Sequence, residues 1–202
     1  MAVRVRFPSQ ALILSRVLAV RAHLKSGVPV KKLIMTIPFL ITCLLALPTH
    51  LLAGEFKVTK VYDGDTIMAE GHDIVIYVLL AGIDAPEIAT RKGQPQQPYA
   101  QEAKRYLEGL ILNKVVDIKG YGIGPYPYNH LIGEIYLQDE NINVGMIEKG
   151  LAEVWLERPP EGLNIAPYLE AEREAKAARR GMWLLGQDYM SPRDWRKIHA
   201  RK

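Results

Sequence analysis

Residues 56–87 read FKVTKVYDGDTIMAEGHDIVIYVLLAGIDAPE, and this stretch decides the fold. Apolar residues alternate loosely with polar ones from Phe56 to Val61, which is the pattern of a half-buried strand. The pair Asp63-Gly64 follows, and Asp-Gly between two such segments predicts a hairpin with a type I′ turn. Two further strands are predicted at residues 66–69 and 72–83. The stretch therefore predicts three consecutive strands.

The remainder of the chain supplies two more strands and the helices. Apolar residues at helical spacing and runs of β-forming residues give the boundaries. Strands are predicted at 115–118 and 131–137, and a loop at 120–128. Helices are predicted at 99–112 and 166–180, with a short helix between them that Asn143 caps. The order β-β-β-α-β-β-α-α predicts an α+β fold, a five-stranded OB-type β-barrel with about three helices.

Carboxylates are concentrated at two strand ends. Asp63 and Asp65 flank a glycine in the first turn, and Asp84 and Glu87 close the third strand. Together with the hydroxyl of Thr66 they form an oxygen-rich set suited to a hard divalent cation, with one carboxylate to spare for a proton. Each acid also has a simpler interpretation, as a turn residue, as a strand-end acid bonded to nearby amides, or as an exposed loop acid.

The charge balance excludes a strongly basic nucleic-acid-binding surface over most of the chain. All 22 acidic residues lie at or beyond Glu55, whereas 7 of the 26 Lys and Arg residues precede it. From Gly54 onward the balance is 19 basic against 22 acidic residues, which is −3. The one concentration of basic residues in this part is a C-terminal tail from Arg179 to Lys202, with seven Lys and Arg against two Asp, which either contacts phosphate or is solvated.

Residues 1–53 are predicted to be a leader, followed by one domain over 54–202. Lys31-Lys32 precedes an apolar run from Leu33 to Leu47, which is the pattern of a secretory signal. We therefore expect an exported protein, periplasmic or secreted. An uncleaved anchor is the alternative, and only then is membrane association expected. The single cysteine, Cys43, lies within the leader, so no disulfide framework and no thiolate site are expected in the domain.

Four ordered motifs resemble the staphylococcal (micrococcal) nuclease family of thermonucleases. They are KVYDGDT at 60–66, LAGIDAPE at 80–87, YNHLIGEIY at 128–136 and NVGMIEKGLA at 143–152. The resemblance implies a calcium-dependent phosphodiesterase that hydrolyses DNA and RNA, in single-stranded or denatured form. No stable protein partner and a monomeric state are expected.

The resemblance also assigns roles to individual residues. It implies that Asp65 and Asp84 are calcium ligands, with the main-chain carbonyl of Ala85 as a third, and that Thr66 lies beside them. Glu87 falls at the position that orients or deprotonates the attacking water. Tyr128 is expected to contact substrate, and the loop that covers the barrel is the alternative place for its ring.

Two arginines of the family pattern are absent. Leu79 and His130 stand at the positions where the family carries the arginines whose guanidiniums bind the phosphorane. Leucine has neither the charge nor the hydrogen-bond donors of a guanidinium. His130 is left as a cation or proton donor, and Arg91 and Lys92 could reach the phosphate from the following loop. Two hypotheses follow: a slow calcium-dependent endonuclease, or a catalytically inactive OB-fold module that binds nucleic acid or another polyanion.

Overall fold

Five strands close on one another to form a barrel. The structure is a computed structural model, and it describes residues 54–89, 93–125, 128–157 and 159–199. Strands are, in chain order, β1 Gly54–Val61, β2 Thr66–Gly71, β3 Ile74–Leu80, β4 Ile83–Asp84, β5 Val115–Ile123, β6 Leu131–Leu137, β7 Glu140–Asn141 and β8 Glu153–Val154. Antiparallel pairing gives the order β3-β2-β1-β5-β6, and a parallel pairing of β3 with β6 closes the circle. The predicted five-stranded OB-fold barrel is therefore confirmed.

Helices surround this barrel in the described part of the chain. They are α1 Ala100–Ile111, α2 Ile142–Glu148, α3 Ala166–Ala177, a 3₁₀ segment Gly181–Asp188 that is kinked at Gly186, and α4 Pro192–Ile198. The sequence predicted the first three helices. The fourth was missed because its seven residues fall in the stretch predicted only as a basic tail. None of the described helices is long and apolar enough to cross a membrane.

The core lies inside the barrel and under helix α1. Side chains of alternate strand residues point inward, as at Val58, Ile67, Val78 and Ile135, which are inaccessible to solvent. One face of α1 buries Ala103, Leu107 and Ile111 against them. The opposite face of β3 exposes Val75 and Tyr77, so this strand contributes to the core through one face.

The first two hairpin turns differ from the prediction: the type I′ turn expected at Asp63-Gly64 is absent, and residues 72 and 73, predicted as strand, form a turn. Asp63 and Gly64 do not have positive φ, so the type I′ turn predicted there is wrong. Instead, Asp63 Oδ1 accepts hydrogen bonds from the amides of Asp65 and Thr66, at 3.1 and 2.7 Å. The residues with positive φ at both central positions are His72 and Asp73, between β2 and β3.

Gly64 is required by close packing rather than by backbone conformation. A Cβ atom at this position would lie 2.7 Å from the Cβ of Ala85 and 2.8 Å from the Cβ of Ala103. These distances are shorter than van der Waals contact. The β1–β2 loop therefore lies directly on helix α1 and on the segment after β4, and this contact fixes the position of Asp65.

Two local predictions need correction. The helix α2 begins after Asn141, whose side chain accepts from the amide of Val144, so Asn141 is the cap and the prediction of Asn143 is wrong. Asn143 is buried instead, and it bonds the backbone of Ile135 and Gly133.

The loop predicted at 120–128 begins later, because β5 continues to Ile123 across a register shift, a feature that glycine in a strand often marks. The leader and its expected role lie outside the described residues.

Candidate active site

The ends of β1 and β3 and the start of β2 meet at one rim of the barrel, because neighbouring strands are antiparallel. Asp65 lies in the β1–β2 loop at this rim, and its carbonyl accepts from the amide of Leu80 at 2.8 Å. Its carboxylate accepts from the amide of Ala85 at 2.9 Å and from the Thr66 hydroxyl at 3.0 Å. One carboxylate therefore joins the two acidic motifs that the sequence separates by about twenty residues.

Asp84 reaches the same rim from strand β4. This short strand pairs with β8, where Asp84 lies opposite Glu153. Asp84 is only 4% exposed, which is unusual for a carboxylate without a compensating cation. The burial of this side chain indicates that it has a partner, which a later part of the chain supplies.

Glu87 follows β4 on a segment fixed by one buried glutamine. The amide of Glu87 donates to Gln97 Oε1 at 2.9 Å, and the amide of Gln97 donates back to the carbonyl of Glu87 at 3.1 Å. Gln97 Nε2 also donates to the carbonyl of Met190, ahead of helix α4. Gln97 is 4% exposed, and the sequence did not indicate its role.

Arg196 of helix α4 is the cation that pairs with these acids. Its Nη1 and Nη2 donate to the two oxygens of Asp84 at 2.7 and 2.8 Å, and Nη1 also donates to Glu87 Oε1 at 2.6 Å. The guanidinium carbon lies 5.6 Å from the centre of the Trp155 ring. A bidentate pair of this kind is among the strongest charged hydrogen bonds in proteins.

The site carries an excess of negative charge. Burial, followed by the charge of Asp63, raises the pKa of Asp65 well above its ordinary value, although the amide of Ala85 opposes the shift. Burial also raises the pKa of Glu87, while the hydrogen bond from Arg196 opposes it. Burial raises the pKa of Glu153 as well, and the charge of Asp84 adds to that shift. Among the described residues the ion pairs of Arg196 reach only Asp84 and Glu87, so it does not neutralise the other acids of the cluster.

The residues present fit a hard divalent cation in chemistry and charge. Asp65 and Asp84 supply carboxylate oxygens at one rim, and Ala85, the residue after Asp84, donates its amide to Asp65. Among the described residues no three acidic, histidine or cysteine side chains form a ready-made ligand cluster. The candidate is thus a two-carboxylate site in which a carbonyl and waters complete the shell, a composition that calcium accepts.

The remaining predicted residues fall in different places. Thr66 lies in the site through its bond to Asp65. The ring of His130 stacks on the ring of Tyr77, with centroids 5.7 Å apart and an interplanar angle of 16°. The ring of Tyr128 also contacts His130, with centroids 5.7 Å apart. Within the described residues, no hydrogen bond or ion pair joins His130 to the acids. Arg91 and Lys92 lie outside the described residues.

A closed five-stranded barrel with helix α1 between β3 and β5 defines the OB-fold class. The chain belongs to the family of staphylococcal nuclease homologues, whose family model matches residues 77–184, more than half of the chain. The matched segment contains Asp84 and Glu87, whereas Asp65 and Arg196 lie on either side of it.

Similar proteins include several fungal ones. A probable endonuclease LCL3 of Debaryomyces hansenii is 33% identical over 135 residues, covering 64% of this chain and 56% of that protein. A protein of the same name in Schizophyllum commune is 33% identical over 148 residues, covering 67% and 50%. One in Candida tropicalis is 31% identical over 158 residues, covering 76% and 66%. The chain spans about half the length of the first of these relatives.

Proposed function

We propose that this chain is a calcium-dependent endonuclease that hydrolyses phosphodiester bonds of RNA and of single-stranded or denatured DNA. The observation that carries the proposal is the meeting of Asp65, Asp84 and Glu87 at one rim of the barrel. Membership of the nuclease-homologue family, and relatives that are named as probable endonucleases, support the reaction class. The proposed rate is slow, because Leu79 and His130 replace two guanidiniums.

The reaction needs an activated water and a neutralised phosphate. Calcium bound by Asp65, Asp84 and the carbonyl of Ala85 would supply charge neutralisation and polarise the ester. Glu87 is partly exposed, so its carboxylate can orient a water and accept its proton. Gln97 holds the backbone of Glu87 from both sides, which keeps that carboxylate beside Asp84.

Thr66, Tyr128 and His130 are proposed to act around this centre. Thr66 orients the Asp65 carboxylate through its hydroxyl. Tyr128 is 75% exposed, which suits contact with a substrate base. His130 is proposed as a cation or proton donor towards the substrate, with its ring orientation fixed by Tyr77. Arg91 and Lys92 are proposed to contact phosphate from the loop after Glu87.

A non-catalytic module that binds nucleic acid or another polyanion is the second candidate. It is favoured by a row of rings along the barrel surface: Tyr62 and Tyr77 are 5.9 Å apart, and the row continues through His130 to Tyr128. Lys60 lies 4.4 Å above the Tyr62 ring. Aromatic rows with nearby cations bind single strands by base stacking without any need for hydrolysis.

The proposed setting is an exported protein, periplasmic or secreted, that acts as a monomer without a stable protein partner. It would be attached to a membrane only if the leader, residues 1–53, is retained. Sequencing the N-terminus of the protein isolated from its cells tests the leader, and light scattering of the same preparation tests the monomeric state.

The reaction is tested by incubating purified protein with denatured DNA, first with calcium and then with a chelator. We expect calcium-dependent cutting that Glu87→Gln lowers by about 10²-fold or more, since a general base contributes that much. Glu148→Gln, which changes a carboxylate at the end of α2, is the matched control and is expected to cut like the parent. Tight DNA binding without cutting would instead establish the second candidate.

A further inference from the structure

We propose that Arg196 binds the substrate phosphate, so that helix α4 supplies a guanidinium that the barrel strands lack. The proposal rests on the proposed function, since the phosphate in question is the one that Glu87 helps to hydrolyse. It assigns a substrate-binding role to a residue 109 positions away from Glu87 in the chain.

The position of the guanidinium carries the argument. Nη1 lies 2.6 Å from Glu87 Oε1. A water oriented by Glu87 would lie about 3 Å from that carboxylate, and a phosphorus atom in line for attack would lie about 3 Å further on. The reacting phosphate therefore comes within roughly 6 Å of Glu87, in the same space that Arg196 borders. A cation here neutralises the charge that develops on the phosphoryl oxygens.

Arg196 retains hydrogen-bonding capacity for a phosphate. A guanidinium has five N–H donors. Three are used by Asp84 and Glu87, which leaves Nε–H and one hydrogen of Nη2 without a partner among the described residues. The side chain is 40% exposed, so part of it faces solvent. Phosphate oxygens match such a planar fork.

The rest of the chain holds Arg196 in place before substrate arrives. Ser191 caps α4 by accepting from the amide of Asp194 at 3.0 Å, and Pro192 is buried. Gln97 binds the carbonyl of Met190 just before the helix, and so connects α4 directly to the Glu87 segment. The Trp155 ring faces the guanidinium. A preorganised cation costs little reorganisation during the reaction.

Arg196 also remains charged in this environment. A guanidinium does not lose its proton in proteins, and Asp84 and Glu87 place two carboxylates beside it. The alternative role is that of a counter-ion that only fastens α4 and competes with a metal for Asp84. The two roles predict opposite effects of removing the guanidinium.

The test compares Arg196→Ala and Arg196→Lys in the full chain. Arg193→Ala is the matched control, because Arg193 lies on the same helix and pairs with Glu157 instead. Affinity for a fluorescent single-stranded decathymidylate is measured with a chelator, so that hydrolysis does not interfere. We expect Arg196→Ala to lower affinity about tenfold, as for a lost charged hydrogen bond, and Arg196→Lys to lower it less. Arg193→Ala should stay within twofold of the parent.

Salt dependence separates a phosphate contact from a structural effect. Losing one phosphate contact on a single strand reduces the slope of log affinity against log salt by about 0.7.

Cleavage with calcium is measured in parallel, and we expect Arg196→Ala to lower kcat, with partial recovery on addition of ethylguanidinium. Thermal unfolding identifies any variant that fails to fold, and Arg196→Lys then carries the comparison alone.

The outcomes distinguish this proposal from the proposed function. If the parent does not cut but Arg196→Ala weakens binding and reduces the salt slope, the phosphate contact stands and hydrolysis fails. Unchanged binding and slope in Arg196→Ala, or faster cutting than the parent, would overturn the proposal. In that case Arg196 is a counter-ion of Asp84.

Discussion

At the residue scale, the site combines three acids, of which Asp84 is buried, with the guanidinium of Arg196. Asp65 takes the hydrogen bonds that link the two acidic motifs, and Asp84 and Glu87 share Arg196. The acids were predicted from sequence because they stand in two short motifs with distinctive neighbours. Arg196 was not predicted as part of the site, because the sequence alone does not show that the tail comes back to the two acidic motifs.

The raised pKa of Asp65 gives a pH-dependent prediction. Burial, and then the charge of Asp63, make the folded chain bind this proton more readily than the unfolded chain does. The contribution of Asp65 to the free energy of unfolding is therefore complete below its unfolded pKa, and falls as pH rises through the raised one. We expect Asp65→Asn to gain stability relative to the parent over that interval, measured by urea unfolding in chelator at a series of pH values.

Saturating calcium provides the control for this experiment. The ion should stabilise the parent by about 2.7 kcal/mol at a hundred times its dissociation constant, and an Asp65→Asn variant that binds tenfold more weakly by only about 1.4 kcal/mol at the same concentration. A difference between the two proteins that stays constant with pH would contradict the electrostatic account of this residue.

The missing arginines lead to a gain-of-function prediction. Leu79 pairs with Thr66 across β2 and β3, so an arginine at 79 would start beside the Asp65 loop. We expect the double variant Leu79→Arg, His130→Arg to raise the cleavage rate at least about tenfold, because an arginine on a transferring phosphoryl group is worth much more. Rates on a labelled oligonucleotide measure this.

The matched control is Leu79→Lys with His130→Lys, which adds the same charge without a planar fork. The lysine variant should gain clearly less than the arginine variant. Equal rates in the parent and in both variants would mean that the site lacks more than its guanidiniums.

At the scale of elements, the position of the site depends on tight contact between loops and helices. The β1–β2 loop rests on α1 and on Ala85 through Gly64, and α4 rests on the Glu87 segment through Gln97. The five barrel strands and helices α1 to α3 could be located from local periodicity, whereas α4 could not. The turn type at Asp63-Gly64 could not, because an Asp side chain that caps two amides replaced the φ > 0 conformation that the dipeptide usually indicates.

Gly64→Ala tests the packing of this loop. Because the added Cβ would overlap Ala85 and Ala103, we expect a loss of about 1–3 kcal/mol in the free energy of unfolding. Gly109→Ala is the control: Gly109 is exposed on α1 with no atom near the added Cβ, and alanine should stabilise that helix by about 0.5–1 kcal/mol. Denaturant unfolding of both variants gives the comparison, and equal effects would show that the loop adjusts freely.

At the scale of the whole domain, OB-barrel topology followed from the order of elements, whereas the completed site did not. The five barrel strands and α1 could be predicted because each corresponds to one uninterrupted stretch of hydrophobic periodicity in the sequence. The contact of residue 196 with residue 84 spans 112 positions and depends on how α2, α3 and the 3₁₀ segment return the chain to the barrel rim. Local sequence patterns do not show that the chain comes back to the barrel rim after α3. The basic tail was therefore predicted, but its contact with the acids was not.

The central claim is that Asp65 and Asp84 hold one divalent cation at the barrel rim. Isothermal titration of the metal-free domain with calcium tests it most directly, with Asp65→Asn as the site variant and Glu70→Gln, an exposed acid on β2, as the control. We predict uptake of one ion per chain by the parent and by Glu70→Gln, and affinity at least about tenfold weaker for Asp65→Asn. No uptake by the parent, or equal uptake by all three proteins, would contradict the account.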